Sequence, residues 1–187
     1  MLFEGIILGL LIGWLRGGKL SNIEHTNPRR LFLVFIAFGI QLALWIGFFY
    51  GNNFFGHTAT RVLHLLSYLP LLYFVYLNRR SLGLLIIGLG FCMNLAAIAA
   101  NGGFMPANPQ CLDPVYREEL YAGTYSPFHR AATEETRLYF LGDIIRLPYA
   151  EQKVISIGDI VITAGLAYFI QNGMLLSPKK EHAAGND

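Results

Sequence analysis

Five strongly apolar stretches divide the chain, at Leu2–Trp14, Leu31–Tyr50, Thr58–Leu77, Leu82–Ala100 and Val154–Leu176, with polar or charged residues between them. A membrane-spanning helix needs about 20 predominantly apolar residues at a rise of 1.5 Å each. The last four stretches have that length. The first is short and suits a tilted or partly exposed span. The pattern predicts an all-α fold, an integral membrane bundle of five transmembrane helices with a helical outer loop. One five-helix membrane domain covers 1–176, with the outer loop at 101–153 and a cytoplasmic tail at 177–187.

The polar intervals set an expected orientation. Arg16, Lys19, Arg29 and Arg30 follow the first stretch, Arg79 and Arg80 join the third to the fourth, and Lys179 and Lys180 lie in the tail. The alternate connections differ: Gly51–His57 has no Lys or Arg, and 101–153 carries five basic against seven acidic residues. Excess Lys and Arg in short loops marks the cytoplasmic side. The expected topology is an amino terminus outside, a carboxyl terminus inside and the long loop outside. The start Met1-Leu2-Phe3-Glu4 is acidic and its basic residues come after the apolar run, unlike a cleaved signal.

Within 101–153, Asp113-Pro114 reads as a helix N-cap with proline in the first turn, stopped at Gly123. A second helix is expected to open at Thr133 and end at Pro148, with Leu138, Leu141 and Ile145 on one face. Gly5, Gly9, Gly13 and Gly17 recur every four residues. Such a stripe lets membrane helices approach closely, within the chain or across a homodimer seam. Ala96, Ala97, Ala99 and Ala100 predict another close contact, and no larger repeat suggests an inverted-repeat transporter.

Polar residues concentrate in the outer half of the expected spans. Glu4, Arg61, His64, Asn94 and Asp159 all fall there, whereas Gln41 lies near mid-span. Ionisable groups at membrane depth usually face protein or a wet cavity, so a shared depth predicts a polar pocket open to the outside. Each residue also has a structural reading. Arg61 can snorkel to headgroups, His64 and Asn94 can bond neighbouring helices, and Asp159 can close a capping box with Ser156.

Asn101-Gly102-Gly103-Phe104-Met105-Pro106 reads either as a helix terminator or as a turn whose bare backbone approaches a ligand. His129, Asp143, Asp159 and His64 would build a metal or acid–base site if brought together, although no established zinc spacing is present. Arg146 and Arg137 are the nearby candidate partners of Asp143. The residues singled out for ligand binding are therefore Arg61, His64, Asn94, Asn101, Gly102, Gly103, Met105, His129, Asp143 and Asp159.

Composition narrows the classes further. Hydrophobic residues make up 54% and charged residues 14% of the chain, with 14 Phe and 10 Tyr. Soluble domains carry about 25% charged residues. A net charge of +2 with no basic, aromatic-interleaved stripe gives no nucleic-acid signature. Nucleophile elbows, phosphate loops and dinucleotide fingerprints are missing. Cys92 and Cys111 are read as free thiols, and His57, His64 and His129 are the haem-ligand candidates in a chain without a C-x-x-C-H site.

Asn-Gly-Gly-x-Met-Pro at 101–106, Leu-Gly-Asp at 141–143 and Ser-Ile-Gly-Asp at 156–159 together resemble a bacterial family of uncharacterised multi-pass membrane proteins. The resemblance implies a compact helical membrane domain with these motifs at one face, and no activity. The leading expectation is a protein that binds a small molecule or ion in an outer-face pocket, as a sensory, transport-associated or complex-forming subunit. A membrane-embedded enzyme acting on a lipid-linked or periplasmic substrate is the second reading, with His129 or His64 as acid–base residue and Asp143 or Asp159 as orienter. A purely structural subunit is the third. The expected partners are the lipid bilayer, the small molecule or ion, and further copies or a larger membrane complex.

Overall fold

A computed structural model describes residues 2–50, 55–149 and 153–176. Its long helices are α1 (Leu2–Leu15), α2 (Phe32–Phe49), α3 (Gly56–Leu77), α4 (Leu82–Ala100) and α6 (Ile157–Leu175), with a short α5 (Pro114–Ala122) between the last two. The expected cytoplasmic tail and Glu151 lie outside the described residues.

Helices α2, α3 and α4 are long and apolar enough to cross a membrane, and the number reaches four if α1 and the bent segment after it count as one span. The expectation of five spans is thus met only in part. Helix α1 has 14 residues, and the chain then turns by 112° into a 3-10 turn at Leu20–Thr26. Helix α6 is long enough at 19 residues, but Asp159, Gln171 and Asn172 interrupt its apolar run. Its polar residues are tolerated because α1 and α4 pack along it.

Glycines let the backbones of these helices approach closely. A Cβ at Gly9 would stand 2.8 Å from the Ala167 carbonyl oxygen, and one at Gly90 would stand 2.6 Å from that of Gly158. The glycine stripe of α1 therefore faces α6 within the chain, through Gly5, Gly9 and Gly13. Gly17 leaves the stripe: it takes a φ of +77° in the turn, and Gly18 meets Met174 instead. Helix α2 packs on α3 and buries only Ala37 and Leu44, leaving Phe35, Leu42 and Trp45 on an apolar surface that suits acyl chains.

The segment after α4 departs from the all-α expectation. Strand β1 (Met105–Ala107) pairs in parallel with β2 (His129–Ala131), placing Met105 beside His129. On its other edge Asp143 N–H donates to the Pro106 carbonyl at 2.8 Å, and Ala107 bridges to Asp143. A second pair joins β3 (Ile145–Arg146) to β4 (Val154–Ile155). The helix expected from Thr133 to Pro148 does not form; only a 3-10 turn at Tyr139–Leu141 remains. Leu138 adopts a left-handed φ of +50° that a helix does not contain, and Asn101 grips the Arg137 backbone through both its N–H and its C=O. Pairing with β1 overrides the local helical pattern. The other expected helix is present as α5, ended by Gly123 at φ +74°, although Asp113 pairs with Arg146 instead of capping it.

Candidate functional site

The bundle has two unlike ends. One carries Arg16, Lys19, Arg29, Arg30, Arg79 and Arg80, and the other carries the 101–149 segment. We call them the arginine end and the loop end.

The turn after α4 builds the loop end. Gly102 and Gly103 take φ of +68° and +95°, conformations open to glycine, and Gly103 N–H donates to the Ile98 carbonyl at 2.8 Å. This reverses the chain into β1. A Cβ at Gly103 would stand 2.8 Å from Arg61 Cβ, so the turn is pressed against α3. His64, buried in α3, donates from Nδ1 to the Gly103 carbonyl at 3.0 Å, because a carbonyl can only accept. The Asn-Gly-Gly turn is thus committed to structure: its carbonyl serves His64, its bare backbone serves Arg61, and Met105 fills the core beside Tyr68, Ala97 and Ile98.

Strand β1 brings together two residues that are 14 apart in sequence. His129 Nε2 lies 2.9 Å from Asp143 Oδ2, and His129 Nδ1 lies 2.8 Å from Ser126 Oγ. The Asp143 carboxylate can only accept, so Nε2–H donates to it, and the bare Nδ1 of the neutral ring accepts from Ser126 O–H, whose oxygen also accepts from Phe128 N–H. Asp143 is 4% exposed, and its Oδ1 is buried with no hydrogen-bond partner among the described residues. Burial pushes the Asp143 carboxyl above its ordinary 3.8, against the hydrogen bond and charge of His129, which pull it down. Arg146 and Arg137 are not its partners. Arg146 pairs with Asp113 at 3.0 Å, and Arg137 is held by Asn101.

A second cluster adjoins the first. Ser156 caps α6 by accepting from Asp159 N–H, and the Asp159 carboxylate accepts from Ser156 N–H, a closed capping box. Asn94 ties α4 to this cap: its Nδ2 donates to Asp159 Oδ1 at 3.0 Å, and its Oδ1 accepts from Ser156 Oγ at 2.9 Å. Structural work accounts for Asn94 and for both Asp159 oxygens.

His129, Asp143 and Asp159 line one cleft of about 520 Å³, together with Ser126, Glu119 and Lys153. Its aromatic walls are Trp45 and Phe49 of α2, Tyr116 of α5 and Tyr125. Burial and the nearby Asp143 carboxylate push the Tyr125 hydroxyl up to about 12, so it stays a neutral donor at neutral pH. Arg61, Asn101, Gly102, Gly103 and Met105 are not among the cleft's lining residues; His64 and Asn94 stand behind it. Arg61 and Arg130 instead flank the Phe104 ring, their Cζ atoms 5.8 and 4.0 Å from its centroid. Hydropathy does not single out Ser126, Tyr125, Lys153, Trp45 or Phe49, since their grouping depends on how α2, α5 and the 125–153 region pack. No group of three or more His, Cys, Asp or Glu that would hold a metal ion occurs among the described residues. Both cysteines are free.

A protein of Thermotoga maritima described as uncharacterised is 28% identical over 171 residues, covering 90% of this chain and 89% of that protein. No solved structure matches. A family model, described as a family of unknown function (DUF5317), matches residues 25–171, which takes in α2, α3, α4 and the whole loop-end cleft. The chain belongs to that family.

Proposed function

We infer that this is an integral protein of a bacterial cytoplasmic membrane that binds a small organic amine or ammonium ion in the loop-end cleft, with the loop end outside. The carrying observation is the cleft lining, where the acidic side chains Glu119, Asp143 and Asp159 face a single base, Lys153, among the rings of Trp45, Phe49, Tyr116 and Tyr125. Aromatic walls suit a cation, since a ring face within about 6 Å attracts positive charge. Positive charge gathered at the arginine end supports the orientation. A five-span reading draws support from α6, against which both α1 and α4 pack through glycine contacts. A sensory, transport-associated or complex-forming role fits such a site equally.

Trp45 provides the test, because Trp14 is the other of two tryptophans. In a Trp14→Phe background, titration with choline or ethylammonium should change Trp45 emission saturably, and Asp143→Asn should weaken that response at least tenfold. No saturable response, or an equal one from a neutral polyol, would reject the amine site.

A second reading is favoured by the hydrogen-bonded run Ser126–His129–Asp143, in which the carboxylate orients an imidazole that can take the serine proton. That reading requires a fluorophosphonate to label Ser126 and His129→Ala to abolish labelling. An unlabelled Ser126 removes it.

A further inference from the structure

The arginine end carries a site unrelated to the cleft above. The linker 27–29 lies over the end of α3, clasped by Asn78. The Asn78 carbonyl accepts from Arg29 N–H at 2.7 Å, and its amide donates to the Arg29 and Phe74 carbonyls at 2.9 and 2.8 Å. The clasp leaves a groove of about 450 Å³ whose walls include Arg29, Arg79, Arg80, Asn27 and Ser81. No acidic side chain lines it among the described residues. Arg79 is braced on the Tyr76 ring, its Cζ 4.8 Å from the centroid, so part of this charge is pre-positioned.

A second groove, of about 360 Å³, shares Thr26, Asn78, Arg80 and Ser81 with the first. It continues away from the arginines between α4 and α6, along Leu82, Leu84, Phe169 and Leu176. A cationic groove thus adjoins one whose far wall is mainly apolar, with His25 and Asn172 as its other polar residues beyond the shared ones. A soluble anion would use only the first groove and a neutral lipid only the second. A molecule with a phosphate beside a hydrocarbon chain uses both.

We propose that these joined grooves bind one anionic glycerophospholipid, its phosphate against Arg29, Arg79 and Arg80 and an acyl chain along the α4–α6 groove. Arginine suits the phosphate because its planar fork presents several donors at once. Ser81 contributes no side-chain cap to α4, so the first N–H groups of that helix add to the favourable field. The site is independent of the amine cleft, and either can fail without the other.

The test uses the full chain in detergent, with bound lipid counted by native mass spectrometry. Phosphatidylglycerol should form a one-to-one adduct and phosphatidylcholine should not. Arg29→Gln with Arg80→Gln should weaken the phosphatidylglycerol adduct about 30-fold, at roughly fivefold per exposed basic contact. Arg16→Gln, at the same end but outside the grooves, should leave it unchanged. Dihexanoyl phosphatidylglycerol should bind at least tenfold more weakly than the dioleoyl lipid. Inorganic phosphate displacing the lipid at equal concentration would make this a free-anion site and overturn the proposal. Equal retention of phosphatidylcholine, or undiminished binding by the double variant, would also overturn it. Should the double variant fold poorly, the wild-type preference for phosphatidylglycerol must still fall steeply with added salt; a salt-independent preference rejects the proposal.

Discussion

Removal of the His129 imidazole probes the central pair most sharply. Asp143 is 4% exposed, its Oδ2 is held by His129 at 2.9 Å, and its Oδ1 has no partner among the described residues. His129→Ala therefore leaves a buried carboxylate with no side-chain partner on either oxygen. Breaking one side of a buried pair costs about 3–5 kcal/mol. The charge has one escape, which is to take up a proton.

Burial already holds the carboxyl above its ordinary 3.8, so the folded chain binds that proton more tightly than the unfolded chain. Stability therefore falls as pH rises from 3.8 through the raised value. Loss of His129 removes both influences that lower it, and the fall extends to higher pH. We expect His129→Ala to cost about 3 kcal/mol at pH 8 and clearly less at pH 5, where protonation relieves the buried charge. For a chain of this size that is about 6–12 °C of Tm at the higher pH. Thermal melts in detergent or lipid discs from pH 5 to 8 read it directly. Adding Asp143→Asn removes the charge and should recover most of the loss. A pH-independent penalty, or a double variant as unstable as His129→Ala alone, refutes the reasoning.

Three further outcomes follow from the packing. Gly9→Leu should separate α1 from α6 and cost about 3 kcal/mol, because overpacking there meets backbone rather than a movable side chain, and limited proteolysis of α1 reads it. Ser156→Ala opens the capping box and breaks the tie to Asn94, so its Tm should fall by an amount corresponding to about 1–2 kcal/mol, whereas Ser156→Thr should keep most of it. Gly102→Ala should cost about 1 kcal/mol from its left-handed backbone alone, while Gly103→Ala should cost clearly more because its Cβ also meets Arg61; equal melting losses would count against the close approach.

The apolar stretches alone made this chain mostly helical, with several helices apolar enough to cross a membrane, and their ends match the helices of the structure within a few residues. They did so because helical burial in lipid depends on length and composition, which are local. The capping box at Ser156 and the stop at Gly123 were equally legible, since each is closed by residues within one turn. The loop end was not. The 133–148 segment has helical spacing, but its backbone is claimed by β1 and by the Asn101 side chain, both distant in sequence. The same long-range pairing sets His129 against Asp143 and sends the Asn-Gly-Gly turn to His64 and Arg61. Hydropathy could place ionisable groups at one depth. Only the fold decided which of them meet, because a hydrogen bond across 14 or 65 residues depends on how separate elements pack.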